Sequence, residues 1–235
     1  MPIASTAYAP KDRRPIAEIL RRTANIPVVW CVRAGVHPNL ISYSSIVASL
    51  GAGLCFWQAT AAPLLLVVAV GLCYVRLWLN MLDGMVAIAA GKASRTGEIA
   101  NELPDRVSDV IIFAGVAHSS LCSPTSAYWA AISALLVAYV GTLGQAVGAR
   151  REFSGVMTKP WRMVTLHVGA WMTLASLWLA DSNLRYAGLT LLDWTNILIV
   201  VGSVQTAAVR LARIVRDLQQ QTPLSALSAV AGVPE

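Results

Sequence analysis

Asp83, Glu98, Glu102, Asp105 and Asp109 stand beside long apolar runs in the stretch NMLDGMVAIAAGKASRTGEIANELPDRVSD, Asn80 to Asp109. At about 100° per residue, Asn80, Asp83 and Ala87 share a face of one helix, with Arg76 about two turns deeper. On a second helix Glu98, Asn101, Glu102, Asp105 and Asp109 fall within an arc of roughly 100°. Two antiparallel helices joined by a short basic loop bring Asn80 and Asp83 opposite Asn101 and Asp105. Hard oxygen donors converging in this way suit Mg²⁺ or Mn²⁺, whereas zinc prefers nitrogen and sulfur. A bound cation also accounts for unpaired carboxylates near a membrane interface. Asp109 lies about 6 Å deeper than Asp105, by four residues of helical rise. A structural ion pair with Arg76 is expected there, a further metal ligand being the alternative. Pro104 cannot bond the carbonyl of Ala100, so a kink is expected, with a carbonyl turned to a ligand cavity as the alternative.

The elements that hold these residues are apolar helices. The chain has 235 residues, 56% hydrophobic and 13% charged, against about 25% charged in a soluble domain. A hydrocarbon core about 30 Å thick takes roughly 20 apolar residues per helix. Six candidate spans follow: Leu40–Trp57, Pro63–Asp83, Asp105–Ser119, Tyr128–Ala149, Met163–Ala180 and Asn196–Leu211. The third is long enough only if Gly97–Pro104 continues its helix, which sets the acidic face at the end of a span. The expected fold is an all-α integral membrane protein with six transmembrane helices and a short N-terminal interfacial amphipathic helix. Residues 1–34 form a cytoplasmic or interfacial segment, 35–217 the membrane domain and 218–235 a loose cytoplasmic tail. "RRPIAEILRRTANIP" carries Ile16, Ile19 and Leu20 on one side with flanking arginines; it reads as an interfacial helix or a plain basic anchor. No signal peptide is expected, since the first 30 residues are basic and broken by prolines.

Charge sets the orientation. Lys11, Arg13, Arg14, Arg21, Arg22 and Arg33 precede span one, and Lys92 and Arg95 follow span two. Arg150, Arg151, Lys159 and Arg162 lie between spans four and five, with Arg210, Arg213 and Arg216 at the end of span six and beyond it. The opposite connections hold Arg185 alone. Positive-inside logic puts both termini and the acidic stretch in the cytoplasm. The net charge of +6 belongs to membrane-flanking segments, so anionic lipid, and not nucleic acid, is the expected partner. Cys31, Cys55, Cys73 and Cys122 have neither metal nor disulfide spacing and read as small buried hydrophobes. His37, His118 and His167 form no catalytic constellation.

Asp83, Gly84 and Ala87, followed by Gly97, Asn101 and Asp105, resemble the CDP-alcohol phosphotransferase signature, D-x-x-D-G-x-x-A-R, about eight residues, then G-x-x-x-D-x-x-x-D. The spacing matches throughout, including the eight residues from Ala89 to Thr96. "HPN" before the first span and "GARREFSGVMTKPWRM" after the fourth extend the resemblance from about Gly35 to Leu211. Asn80 and Asn101 stand where the family has aspartates, and Ile88 replaces its arginine. Each asparagine removes a negative charge, which favours one metal over two; Glu98 or Glu102 could restore it. Relatives beginning N-x-x-D-G with N-E before the last aspartate share the pattern.

The resemblance implies transfer of a phosphatidyl group from a CDP-linked lipid, CDP-diacylglycerol above all, to a polar or phosphorylated alcohol, with release of CMP. It implies one or two Mg²⁺ or Mn²⁺ ions on Asp83, Asp105, Asn80 and Asn101, Asp105 as general base, and Gly84, Ala87 and Gly97 against the nucleotide. It further implies a homodimer in a bacterial inner membrane, with the active site on the cytoplasmic side. Arg150, Arg151, Lys159 and Arg162 serve orientation or bind phosphate, with Lys159 and Arg162 the choices for substrate. The rival readings are a weakened or inactive member that binds CDP-lipid or a partner, and a small membrane transporter.

Overall fold

The computed structural model describes residues 26–92, 95–150 and 152–221. The proposed N-terminal amphipathic segment up to residue 25, the tail from residue 222, and Arg151 lie outside them. Six long helices make up the fold among the described residues. They are α1 (Pro38–Trp57), α2 (Leu65–Ala89), α3 (Arg95–Ala117), α4 (Pro124–Ala146), α5 (Lys159–Leu179) and α6 (Leu191–Gln221). A shorter helical segment covers residues 26–33. Helix α3 runs unbroken through Pro104, so the acidic stretch and the apolar run after it form one rod.

Helix boundaries follow local chemistry. Pro38, Pro124 and Pro160 open α1, α4 and α5, where a missing N–H costs nothing. His37 Nδ1 accepts the Asn39 N–H at 3.3 Å and caps α1. Gly91, at φ +64°, closes α2, with its own N–H on Ile88 O and that of Lys92 on Ala87 O, a left-handed cap that glycine adopts without strain. A two-residue turn at Ala187 and Gly188, both at positive φ, joins strands Arg185–Tyr186 and Leu189–Thr190. This small hairpin is a departure from an all-helical chain; positive φ at both turn residues matches the natural strand twist.

Helix α1 packs on α2 and α3, α4 on α6 and α3, and α5 on α2 and α6. The buried faces are rich in small and hydroxyl residues, such as Ser45, Ser49, Ala52, Ala130, Thr173 and Ser176. Large apolar side chains, including Val47, Leu54, Trp178, Leu179 and Val201, point outward. This inversion is expected where lipid, not water, is the surrounding medium, because helices then associate through close packing and polar contacts. Helix α1 approaches α3 closely at two glycines. A Cβ on Gly115 would lie 2.2 Å from the carbonyl oxygen of Gly53, so the two backbones touch.

Among the described residues, four helical stretches are long and apolar enough to cross a membrane: Pro38–Thr60, Leu65–Ala89, Pro124–Ala146 and Leu191–Gln220. The chain is a multi-pass membrane protein. Helices α3 and α5 have comparable lengths, 23 and 21 residues, but they carry the charged residues of the site.

Candidate functional site

Three helices and one serine build the site. Helix α2 supplies Arg76, Asn80 and Asp83; α3 supplies Glu102, Asp105, Arg106 and Asp109; α5 supplies Lys159 and Arg162. Ser42 comes from the first turns of α1. The helical period puts the α2 and α3 groups on facing stripes, and α5 closes the third side.

Asp109 lies deepest. Its Oδ1 accepts from Arg76 Nη2 at 2.8 Å and its Oδ2 from Arg162 Nη2 at 2.9 Å. All three side chains are buried. One carboxylate therefore sits between two guanidiniums from different helices, leaving an excess positive charge in the interior. Part of that excess reaches the acid one turn earlier on α3. Arg76 Nη2 also donates to the main-chain oxygen of Asp105 at 3.0 Å, and lies 3.6 Å from Asp105 Oδ1.

Asp105 is the meeting point. Its Oδ1 accepts from Asn80 Nδ2, and its Oδ2 pairs with the ammonium of Lys159. Lys159 stands ahead of the apolar part of α5, outside the spans. Burial pushes its ammonium down to about 8, reinforced by the Arg76 charge and opposed by Asp105 and Asp109. Asp83 is held differently. Its Oδ2 accepts from the Ser42 hydroxyl at 2.5 Å and its Oδ1 from the Gly84 N–H at 2.6 Å. No ion pair reaches Asp83 among the described residues. The side-chain oxygen of Asn80 is buried without a hydrogen-bond partner.

A cleft of about 190 Å³ opens beside Asp105 and Lys159, lined also by Glu102, Arg106, Glu152, Arg162 and Arg210. Glu102 pairs with Arg106 one turn along α3. Arg210 is not turned to the cleft as an open cation: it donates to Ser154 O and Val137 O, each at 2.9 Å. These bonds tie α6 to α4 and to the loop before α5.

Several residues singled out from the sequence take positions of their own. Arg162 faces inward onto Asp109, so its guanidinium is committed to the buried pair. Arg150 is exposed, and its main-chain N–H donates to Asp217 at 2.8 Å. Gly84 has open space beside it, since a Cβ at this residue would meet nothing within 4 Å. Ala87 and Gly97 are half-buried. Asn101 is half-buried on α3. Ile88, in the place of the signature arginine, is 75% exposed. The side chain of Glu98 lies outside the described residues. Sequence reasoning gives Ser42 and Glu152 no role and treats Arg210 only as a membrane-flanking cation. Ser42 falls one turn past Pro38 in "GVHPNLISYSS", a stretch that reads as no more than a helix entry.

Among the described residues, no three His, Cys, Asp or Glu side chains converge as a metal site. A cation would therefore depend on carboxylate and amide oxygens together. Asp83, Asp105 and the unpartnered Asn80 oxygen provide that mixed set, whose hard donors fit Mg²⁺ or Mn²⁺.

Fold and cluster together define a helical membrane protein with buried charge gathered at one end of the bundle. No family model matches the chain. Its relatives carry the resemblance: the inner membrane protein YnbA of Escherichia coli (strain K12) is 27% identical over 188 residues, 78% of this chain and 90% of that protein. Archaetidylinositol phosphate synthase of Pyrococcus horikoshii is 24% identical over 161 residues, 68% of this chain and 79% of that enzyme. The fold is shared with the crystal structure of Mycobacterium tuberculosis phosphatidylinositol phosphate synthase with CDP-DAG bound. The TM-score is 0.66 at 20% identity, covering 82% of this chain and 94% of that one. Its complex with manganese and citrate gives 0.64 at 20% identity, covering 81% and 88%.

Proposed function

We propose that the chain is a CDP-alcohol phosphotransferase that moves a phosphatidyl group from a CDP-linked lipid, CDP-diacylglycerol first, to the hydroxyl of a polar alcohol, free or phosphorylated. The observation that carries this reading is Asp105, a carboxylate at the wall of a cleft lined by α3, α4, α5 and α6, with Asn80 of α2 and Lys159 of α5 on its two oxygens. It occupies the last position of the signature. Each carboxylate oxygen keeps a second lone pair beyond the donor it already holds, so Asp105 can still take a proton.

In this reading the acceptor hydroxyl enters the cleft and its oxygen attacks the phosphorus remote from cytidine. Its proton passes to Asp105, the bond from that phosphorus to the bridging oxygen breaks, and CMP leaves with the bridging oxygen. Lys159 and Arg76 lower the charge around Asp105 and fix its orientation. Ser42 and the Gly84 N–H orient Asp83. Asp83, Asn80 and Asp105 would hold a divalent ion, which supplies neutralisation of the donor diphosphate. The manganese complex of the mycobacterial enzyme that shares the fold supports a divalent ion as cofactor. The open space beside Gly84 suits close approach of a nucleotide to α2.

The same reading has all six helices crossing the bilayer, both termini and the cleft on the cytoplasmic side, and a homodimer as the working unit. The test is CMP release by purified protein in detergent, with CDP-diacylglycerol, Mg²⁺ or Mn²⁺ and a panel of alcohols. Release that depends on the alcohol supports transfer. CDP-lipid binding with no CMP from any acceptor overturns it in favour of an inactive binder.

A further inference from the structure

We infer that this site takes a single divalent cation, on the Asp83 side, and that the Lys159 ammonium occupies on Asp105 the electrostatic place of a second ion. The inference rests on the phosphotransferase reading and concerns how its site is charged.

The two acids of the signature are compensated in opposite ways. Asp105 already has the chain's own cations around it: Lys159 on Oδ2 and Arg76 at 3.6 Å from Oδ1. Its remaining contact, Asn80 Nδ2 on Oδ1, fills the oxygen that would otherwise point to α2. Asp83 has only neutral donors, Ser42 Oγ and Gly84 N. Its negative charge is thus oriented but not neutralised, in a position where the side chain is buried. Two neutral donors leave a buried carboxylate under-compensated unless a cation joins it, whereas Asp193, with no cation, accepts four neutral hydrogen bonds. The oxygen left without a partner, that of Asn80, belongs to the residue one turn before Asp83 on the same helix face. Donor and unmet charge coincide there.

The asparagines make the same point from the sequence. With Asn80 and Asn101 in place of acids, Asp83 and Asp105 are the signature carboxylates that remain. Asp83, Asp105 and Asp109 are already balanced in number by Lys159, Arg76 and Arg162, and two divalent ions would add four positive charges to that cluster. One divalent ion brings two. Lys159 is therefore matched to the asparagines: a site with fewer acids and a built-in ammonium needs one ion fewer.

The experiment counts ions on the full chain in detergent, by the electron paramagnetic resonance signal of free Mn²⁺ during titration. CMP release is measured on the same samples. The wild type is expected to bind one Mn²⁺ per chain and Asp83→Asn none. The double variant Lys159→Gln with Asn101→Asp is expected to bind two, whereas Lys159→Arg with Asn101→Asp returns to one. Two ions on the wild type, none on the wild type, or one on Asp83→Asn would each overturn the inference. So would a count of one on the Lys159→Gln, Asn101→Asp variant eluting as a single species. One ion with no CMP from any acceptor would sink the phosphotransferase reading and leave the count standing. Two ions with CMP release would sink the count alone.

Discussion

Asp109 and Asp193 are both buried acids, yet the chain treats them as different materials. Asp193, at the start of α6, accepts from Ser123 N (2.8 Å), Ser126 Oγ (2.7 Å), Thr190 N (3.1 Å) and Thr190 Oγ1 (2.9 Å). All its partners are neutral, and they gather the hairpin, the head of α4 and the head of α6 into one corner. Asp109 has two guanidiniums, from α2 and α5. Neutral donors from nearby turns make a cap, which holds a local shape. Cations from two separate helices make a clamp, which sets the distance between those helices at the depth where Asp105 must be placed. A charged tie of this kind is worth little as net stability but costs much to break on one side.

That contrast sets a graded series of variants. Asp109→Ala leaves Arg76 and Arg162 buried together without their anion. It is expected to cost about 3–5 kcal/mol, seen as a sharply lower melting temperature in detergent and loss of CMP release. A small melting shift would show that the clamp is not a structural tie. Asp105→Asn should lower CMP release by about 10²-fold or more, the scale of general-base catalysis, with a much smaller thermal shift than Asp109→Ala. Full turnover by this variant would remove Asp105 from the role of base. Asp193→Ala loses a capping carboxylate and is expected to cost about 1 kcal/mol, while turnover per folded molecule stays at the wild-type value. A turnover defect there would erase the distinction between the two ends. Arg150→Ala, on an exposed side chain, should change stability by less than about 0.5 kcal/mol and leave acceptor KM unaltered. A raised KM for a phosphorylated acceptor would return Arg150 to the phosphate-binding set.

Much of this arrangement is legible in the sequence because it depends on single helices. A period of 3.6 residues places Asn80 with Asp83 and Asp105 with Asp109, and a fixed rise sets Arg76 at the level of Asp109. The structure pairs Asn80 with Asp105 and Arg76 with Asp109. What the sequence leaves dark depends on which helices become neighbours. Nothing in "MTKPWRM" says that α5 seats against α2, so Arg162 reads as an open phosphate ligand when it is the second arm of the clamp. Ser42 is hidden for the same reason: its value lies in a carboxylate on another helix. Arg210 looks like a membrane-flanking cation, but its guanidinium holds main-chain oxygens on α4 and in the loop ahead of α5. The hairpin is hidden because Ala187 is an unusual turn residue at positive φ.

The contact of Gly53 with Gly115 has a mechanical consequence. Two helices whose backbones already touch cannot move closer at that point or interpose a side chain, so a pivot about it is a movement that keeps their contact. Ser42 lies about 16 Å along α1 from the pivot, and Asp105 about 15 Å along α3. A swing of about 5° would displace either residue by roughly 1.3 Å at those arm lengths, enough to break the Ser42–Asp83 bond. The glycine crossing would thus serve as a fulcrum in such a swing, with the charged site at the far end of both arms.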